Sequence, residues 1–225
     1  FIRRVEGMGF DGITTADVGH DPFLPLVFAA EHSETLGLQT QVVIALPRSP
    51  MTTATVAWDL QRFSKGRLIL GLGTQVKGHI ERRYSTQWTA PAPRMREYVQ
   101  SLRAIWDCWQ NGTPLEYRGE HYSFTLMTPG FNPGPIETPH VPVHLAAVNT
   151  NMLRLAGELA DGLEVHPLCS DKYLHEIVLP QVEEGAKRTG RSLKDLELSH
   201  WGFIITGGTQ EDINRGWEAI RRSEE

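Results

Sequence analysis

Ser64-Lys65-Gly66-Arg67-Leu68-Ile69-Leu70-Gly71-Leu72-Gly73 carries the chain from the end of a helix into a strand, and from the strand straight into two glycines. Arg67 to Leu70 reads as the strand, because a short apolar run bounded by glycines is too brief for a helix. Immediately upstream, Pro50 to Phe63 reads as a helix with Pro50 in its first turn and Val56, Leu60 and Phe63 on one face. Before it, Leu38 to Ala45 reads as another strand, broken off by Pro47. Its Val42-Val43-Ile44-Ala45 core is apolar without alternation, as in strands covered on both faces.

The alternation continues in both directions. Phe1 to Gly9 reads as a helix end, Gly12 to Thr15 as a strand, and Pro22 to Leu36 as a helix closed by Gly37. Downstream, Met95 to Trp109 is an amphipathic helix, Tyr117 to Phe124 a hairpin turning at Gly119, and Thr128 to Pro142 a Pro- and Gly-dense loop. Then follow strand Val143–Ala147, helix Thr150–Ala160, strand Gly162–His166, helix Asp171–Thr189, strand Leu196–Thr206 and helix Gln210–Arg222. Strand and helix in this repeat imply an α/β chain with a parallel sheet, read as one domain over 1–225 with an insertion near 113–140. Two architectures remain. A (β/α)8 TIM-type barrel would be incomplete, lacking its first and last strands, whereas an open doubly wound sheet needs no addition.

Composition narrows the partners. The chain has 225 residues, 40% of them hydrophobic and 22% charged, and a formal net charge of −5. No basic surface for nucleic acid or anionic lipid is expected, and no apolar run is long enough to span a bilayer. With only Cys108 and Cys169, a disulfide framework is not expected, so the expected compartment is the reducing cytoplasm.

In a barrel, chemistry sits at the carboxyl ends of the strands. After the first strand stand Asp17, His20 and Asp21, an acid and an imidazole able to move protons, or equally a helix cap at Asp21 beside an exposed His20. Gly71-Leu72-Gly73-Thr74-Gln75 lets backbone approach a ligand but matches neither a dinucleotide fingerprint nor a phosphate loop, since Lys77 is followed by Gly78. The polar stretch Val76 to Tyr84, with Glu81, is either functional or a solvated face. Asn149 or Thr150 can cap the following helix, whose free N–H groups suit a phosphate. His140, His144 and His166 lack the spacing of a metal site, so no metal is expected, and no Gly-x-Ser-x-Gly supports a serine nucleophile.

Four segments together resemble the bacterial luciferase-like monooxygenase superfamily: Gly9-Phe10-Asp11-Gly12-Ile13, Arg48-Ser49-Pro50, Ser64 to Gly73, and Ala156-Gly157-Glu158-Leu159-Ala160-Asp161-Gly162. Gln75 to Tyr84 with Pro91 to Glu97 is similar to the branch dependent on coenzyme F420. The resemblance implies a TIM-type barrel that holds a tricyclic ring across the strand ends, with a non-proline cis peptide on the strand at Val43-Ile44-Ala45. It implies ring or tail contacts at Val43, Ile44, Ala45, Gly73, Thr74, Gln75, Ala147, Asn149, Thr150 and Asn151, with phosphate near Asn149 to Asn151. His20, Asp17 and Glu81 are the implied acid–base residues, although Gln75 and Val76 stand where some relatives carry a glutamate. The implied activity is hydride transfer between F420 and a small organic substrate. An FMN-dependent monooxygenase and a non-catalytic flavin-binding relative are the alternatives, and a homodimer is an admissible assembly.

Overall fold

The computed structural model describes residues 1–223, so the last positions of the 1–225 domain expected from sequence lie outside the described residues. The strands are β1 (Gly12–Thr15), β2 (Gly37–Thr40), β3 (Val43–Ile44), β4 (Leu68–Gly73), β5 (Tyr117–Arg118), β6 (Ser123–Phe124), β7 (Val143–Ala146), β8 (Gly162–Val165) and β9 (Glu197–His200). The helices are α1 (Ile2–Gly7), α2 (Phe23–His32), α3 (Pro50–Phe63), α4 (Lys77–Arg82), α5 (Pro91–Asn111), α6 (Thr150–Leu159), α7 (Asp171–Tyr173), α8 (Leu179–Lys187) and α9 (Gln210–Ser223).

The large sheet runs β1-β2-β4-β7-β8-β9, all parallel, with β3 continuing the β2 position alongside β4. Each new strand joins on the same side as the last. Right-handed crossovers in one constant direction put every helix on one face and curl the sheet, whereas a doubly wound sheet must reverse its strand order. The open doubly wound alternative is therefore excluded, and the sheet is a half-barrel of TIM type, with β1 and β9 at its edges.

Strand alternation divides the residues cleanly. Leu38, Leu68, Leu70, Leu72, Val143, Leu145 and Leu163 face the helices and are fully buried. They meet Trp58 and Leu60 of α3 and Val99, Leu102 and Ile105 of α5 in one continuous core. Burying such side chains contributes roughly 1.5–3 kcal/mol each, so this layer holds the sheet to its helices.

Six elements differ from the sequence reading. The strand expected over Leu38–Ala45 is two short strands, Gly37–Thr40 beside Leu68 and Ile69 and Val43–Ile44 beside Leu72 and Gly73; the non-proline cis peptide implied at Val43-Ile44-Ala45 stands at Gln41–Val42, just before that segment. The helix expected to Leu36 ends at His32. Arg67 takes the carbonyls of Ala30, Ser33 and Leu36, and Glu6 accepts from the amides of Glu34 and Thr35, so residues 33–36 leave the helix for tertiary partners. The helix expected over Asp171–Thr189 contains a π-turn at Leu174–Val178 directly before Pro180, which has no N–H for the helical ladder. The strand expected to Thr206 stops at His200, where its pairing with Val165 ends. The helix α5, by contrast, is longer than expected, starting at Pro91 and closing at Gly112 with φ +67°. The short helix α4 forms in what read as an irregular polar stretch.

The β5–β6 hairpin forms a two-stranded sheet of its own, outside the large one. Its turn is fastened by one side chain: the Glu97 carboxylate accepts from the amides of Glu120 (2.9 Å), His121 (2.7 Å) and Tyr122 (3.0 Å). Burial raises the Glu97 pKa, but these three donors outweigh it and hold the group below its ordinary 4.5.

Arg67 spends all of its guanidinium N–H groups on Ser64, Ser33, Leu36 and Ala30. Arg67→Ala should cost about 3 kcal/mol, because several carbonyls lose their partner at once. Urea unfolding should show a lower midpoint at unchanged slope; a loss below about 1 kcal/mol would contradict this role. For Glu97 the depressed pKa means that its contribution is complete above about pH 4.5 and is lost as pH falls through the folded-state value. Amide exchange at residues 120–122 should accelerate over that acid range in the native protein, and Glu97→Gln should abolish the pH dependence.

Candidate functional site

The other face of the sheet is of a different character. Register places Gln39 beside Ile69, Gly71 beside His144, Ala146 beside Glu164 and Glu164 beside Ser199, so these residues share the concave lumen. Barrel interiors are commonly packed with branched aliphatic side chains. Here the lumen holds a polar cluster instead. Glu164, 3% exposed, accepts from His144 Nδ1 (2.8 Å), from Gln41 Nε2 (2.7 Å) and from Gln39 Nε2. Gln41 also reaches Ser199 Oγ at 3.4 Å. The His144 ring lies so close over Gly162 that a side chain at that position would collide with it, which accounts for glycine after Ala160-Asp161.

Toward the carboxyl ends of the strands the wall becomes apolar, with the Val42 side chain packed on Gly73. A Cβ on Gly73 would lie 2.7 Å from Val42 Cγ2 and 3.7 Å from the Ala146 methyl. Gly73, Val42 and Ala146 thus form a low, apolar surface at the mouth, with Ile44 in register with Gly73. Val43 is in register with Leu72 and, like Ala45, is fully buried; the Ala45 amide donates to the Gly73 carbonyl at 2.9 Å.

Above this surface, the loop after β1 is locked by charge. Asp17 Oδ2 accepts from the Ile44 amide (3.2 Å) and from Arg48 Nη2 (3.1 Å), and Arg48 also reaches Asp21 Oδ2 (3.2 Å). Asp21 Oδ1 accepts from the Phe23 amide and so caps α2. Burial works against the Arg48 charge, yet the two carboxylates prevail and raise its pKa. His20, next to this network, is exposed and makes no hydrogen bond among the described residues. Arg83 donates to the Val18 carbonyl at 2.7 Å and ties the segment after Gly73 to the same loop.

After β7, Asn149 caps α6 by accepting from the Met152 amide at 3.2 Å, and Thr150 and Asn151 are exposed at the helix start. Between the ends of β7 and β8 lies a small cavity of about 80 Å³, lined by Ala147, Val148, Val165, His166, Cys169 and Tyr173. Among the described residues no group of three or more His, Cys, Asp or Glu side chains is placed to hold a metal, and no helix is long and apolar enough to cross a membrane.

Residues 1–224 match the sequence model of luciferase-like monooxygenases. The chain belongs to that family. The Mycobacterium tuberculosis protein Rv1360, named as uncharacterized, is 47% identical over 218 residues, covering 97% of this chain and 64% of the relative. Rv3520c of the same organism, provisionally named a coenzyme F420-dependent oxidoreductase, is 30% identical over 215 residues, covering 91% of this chain and 60% of the relative. The chain thus spans less than two thirds of the length of these curated relatives. In fold it is similar to the monooxygenase RslO1 of Streptomyces bottropensis, with a TM-score of 0.79 at 18% identity over 99% of this chain and 70% of that one.

The luciferase-like half-barrel distributes the residues singled out from sequence as follows. Ile44, Gly73, Thr74 and Gln75 gather at the mouth, Ile44 and Gly73 being buried there, and Val43 and Ala45 on the same segment are fully buried. Gln75 has a positive φ of 58° and accepts from the Val76 amide through its own side chain. Ala147, Asn149, Thr150 and Asn151 line the end of β7 and the start of α6. Asp17 is engaged with Arg48, and Glu81, exposed on α4, lies 3.9 Å from Lys77. Sequence reading missed Val42, Ala146, Gln39, Gln41 and Glu164, and took His144 only as a weak metal candidate. A signal existed: polar residues at every second position of otherwise apolar strands mark one face of a sheet as something other than packed core.

If Asp17 anchors the β3 end, Asp17→Ala should free the Ile44 amide. Hydrogen exchange at Ile44 should then rise about tenfold, equivalent to about 1.4 kcal/mol of lost local protection. Unchanged exchange there would show that Arg48 and Asp17 do not hold the mouth.

Proposed function

We propose that this chain is the coenzyme-holding part of an oxidoreductase that transfers hydride between coenzyme F420 and a small organic substrate. The observation that carries the reading is the smooth apolar wall at the mouth, where the Val42 side chain packs on Gly73 too closely to admit a Cβ there, beside the Ala146 methyl. Valine, glycine and a methyl group together make an apolar surface without long side chains, against which the face of a flat ring can lie. The 30% identity to Rv3520c favours the deazaflavin over other rings.

When bound, the coenzyme supplies the hydride chemistry. The chain's residues supply placement and protons. Val43, Ile44 and Ala45 back the ring site, with Gly73, Thr74 and Gln75 along its border. Ala147, Asn149, Thr150 and Asn151 bind the tail, where the free N–H groups at the start of α6 suit phosphate. Asp17 stiffens the loop after β1 through Arg48, and His20 on that loop holds or releases a proton at an imidazole nitrogen. Glu81 is the second proton donor in line. A small-molecule substrate suits a narrow mouth, and the net charge of −5 gives no attraction to nucleic acid or an anionic membrane.

A second reading follows from the family's description as monooxygenases: the same site could take FMN and use oxygen. Absorbance titration of the full-length protein with F420 and with FMN separates the two, and binding of neither would leave a non-catalytic relative. With the bound coenzyme established, His20→Ala should lower kcat by about 10²–10⁴ while leaving coenzyme affinity unchanged. Unaltered turnover would remove His20 and pass the role to Glu81, which Glu81→Gln then tests.

A further inference from the structure

We propose that Glu164 is a positioning residue for the coenzyme site: its buried carboxylate fixes the Gln41 side chain and, through it, the Val42 part of the mouth. The inference rests on the ring site proposed above.

Glu164 is 3% exposed and His144 is 1% exposed, on the concave face of the sheet. A buried carboxylate is costly unless donors surround it. Here Oε1 receives His144 Nδ1 and Gln39 Nε2, and Oε2 receives Gln41 Nε2 at 2.7 Å. Those donors come from β2, the segment just after it and β7, so one carboxylate draws three parts of the wall to a single point. If the lumen had only to be filled, aliphatic side chains would serve at lower cost, and replacing buried polar groups by apolar ones is often neutral or stabilising.

What the polar cluster adds is direction. Gln41 precedes Val42, whose Cγ2 lies against Gly73, and Glu164 is in register with Ala146 on the neighbouring strand. Val42 and Ala146, the two side chains of the apolar wall around Gly73, are thus both adjacent to the residues of the carboxylate cluster. Its grip on Gln41 holds Val42 at a fixed height beside Gly73, and a ring lying on that wall would sense any release.

The test uses the full-length protein and whichever coenzyme, F420 or FMN, the wild type binds. Glu164→Leu and Gln41→Leu should each raise the coenzyme Kd about tenfold or more, as loss of outer supporting groups typically does. Their effects should be non-additive in the double variant, because both remove the same link. Glu164→Gln should stay within about threefold of wild type, since its carbonyl still accepts from Gln39 and His144 and the Gln41 amide can turn to accept from its NH2. Thermal unfolding of the coenzyme-free variants supplies the control. A lowered Tm with unchanged Kd in Glu164→Leu and Gln41→Leu would overturn the inference, leaving the cluster as a strand fastener and the ring site standing. If Glu164→Leu does not fold, Gln41→Leu decides alone, because Glu164 keeps two of its donors there. Wild-type protein that binds neither coenzyme would overturn the ring site and this inference together.

Discussion

The close approach of Thr40 to Gly71 governs the shape of the wall. The Thr40 hydroxyl donates to the Gly71 carbonyl and accepts from the Gly71 amide, both at 2.9 Å, so a side chain does the work of a strand ladder at this point. The Thr40 carbonyl occupies the place where a side chain on residue 71 would stand. Only glycine permits that approach. Directly beyond it the strand turns through Gln41 and Val42 and resumes as β3 beside Leu72 and Gly73. The mouth is therefore shaped by backbone proximity as much as by any polar side chain.

From this contact the two faces of the sheet take different tasks. The helical face is close-packed and apolar, and its cohesion resists local change. The lumen face is polar in its lower part and apolar in its upper part, where Val42 packs on Gly73, an arrangement that gives up some apolar packing for fixed hydrogen-bond direction. Loops above it are held by ion pairs and backbone bonds, with Arg48 between Asp17 and Asp21 and Arg83 on Val18. A packed wall beneath loops fastened by a few side chains is a suitable frame for a ligand.

Much of this was legible residue by residue. The strand Gly12–Thr15, the helix Pro50–Phe63 and the hairpin between Tyr117 and Phe124 follow from local rules: short apolar runs, proline at a first turn, and a glycine in a reverse turn. The motif Ser64 to Gly73 announced a strand that ends in glycines, and family resemblance announced the barrel. Local rules misplaced two element ends that are decided elsewhere, and they missed the interruption at Gln41–Val42, the π-turn at Leu174–Val178 and the helix α4. Arg67 and Glu6 unwound the last turn expected of α2, and the absence of a ladder partner beyond Val165 shortened β9.

The sequence by itself therefore determined the α/β class, the order of the elements and the glycines at the mouth, because these depend on periodicity and on backbone freedom at single residues. Only the tertiary structure decided that strands add in one direction into a half-barrel, and that Gln39, Gln41, His144 and Glu164 meet in its lumen. The reason is geometric: curvature and register bring together residues up to 125 positions apart, and no local pattern in the chain specifies which neighbour a polar side chain will find across the sheet.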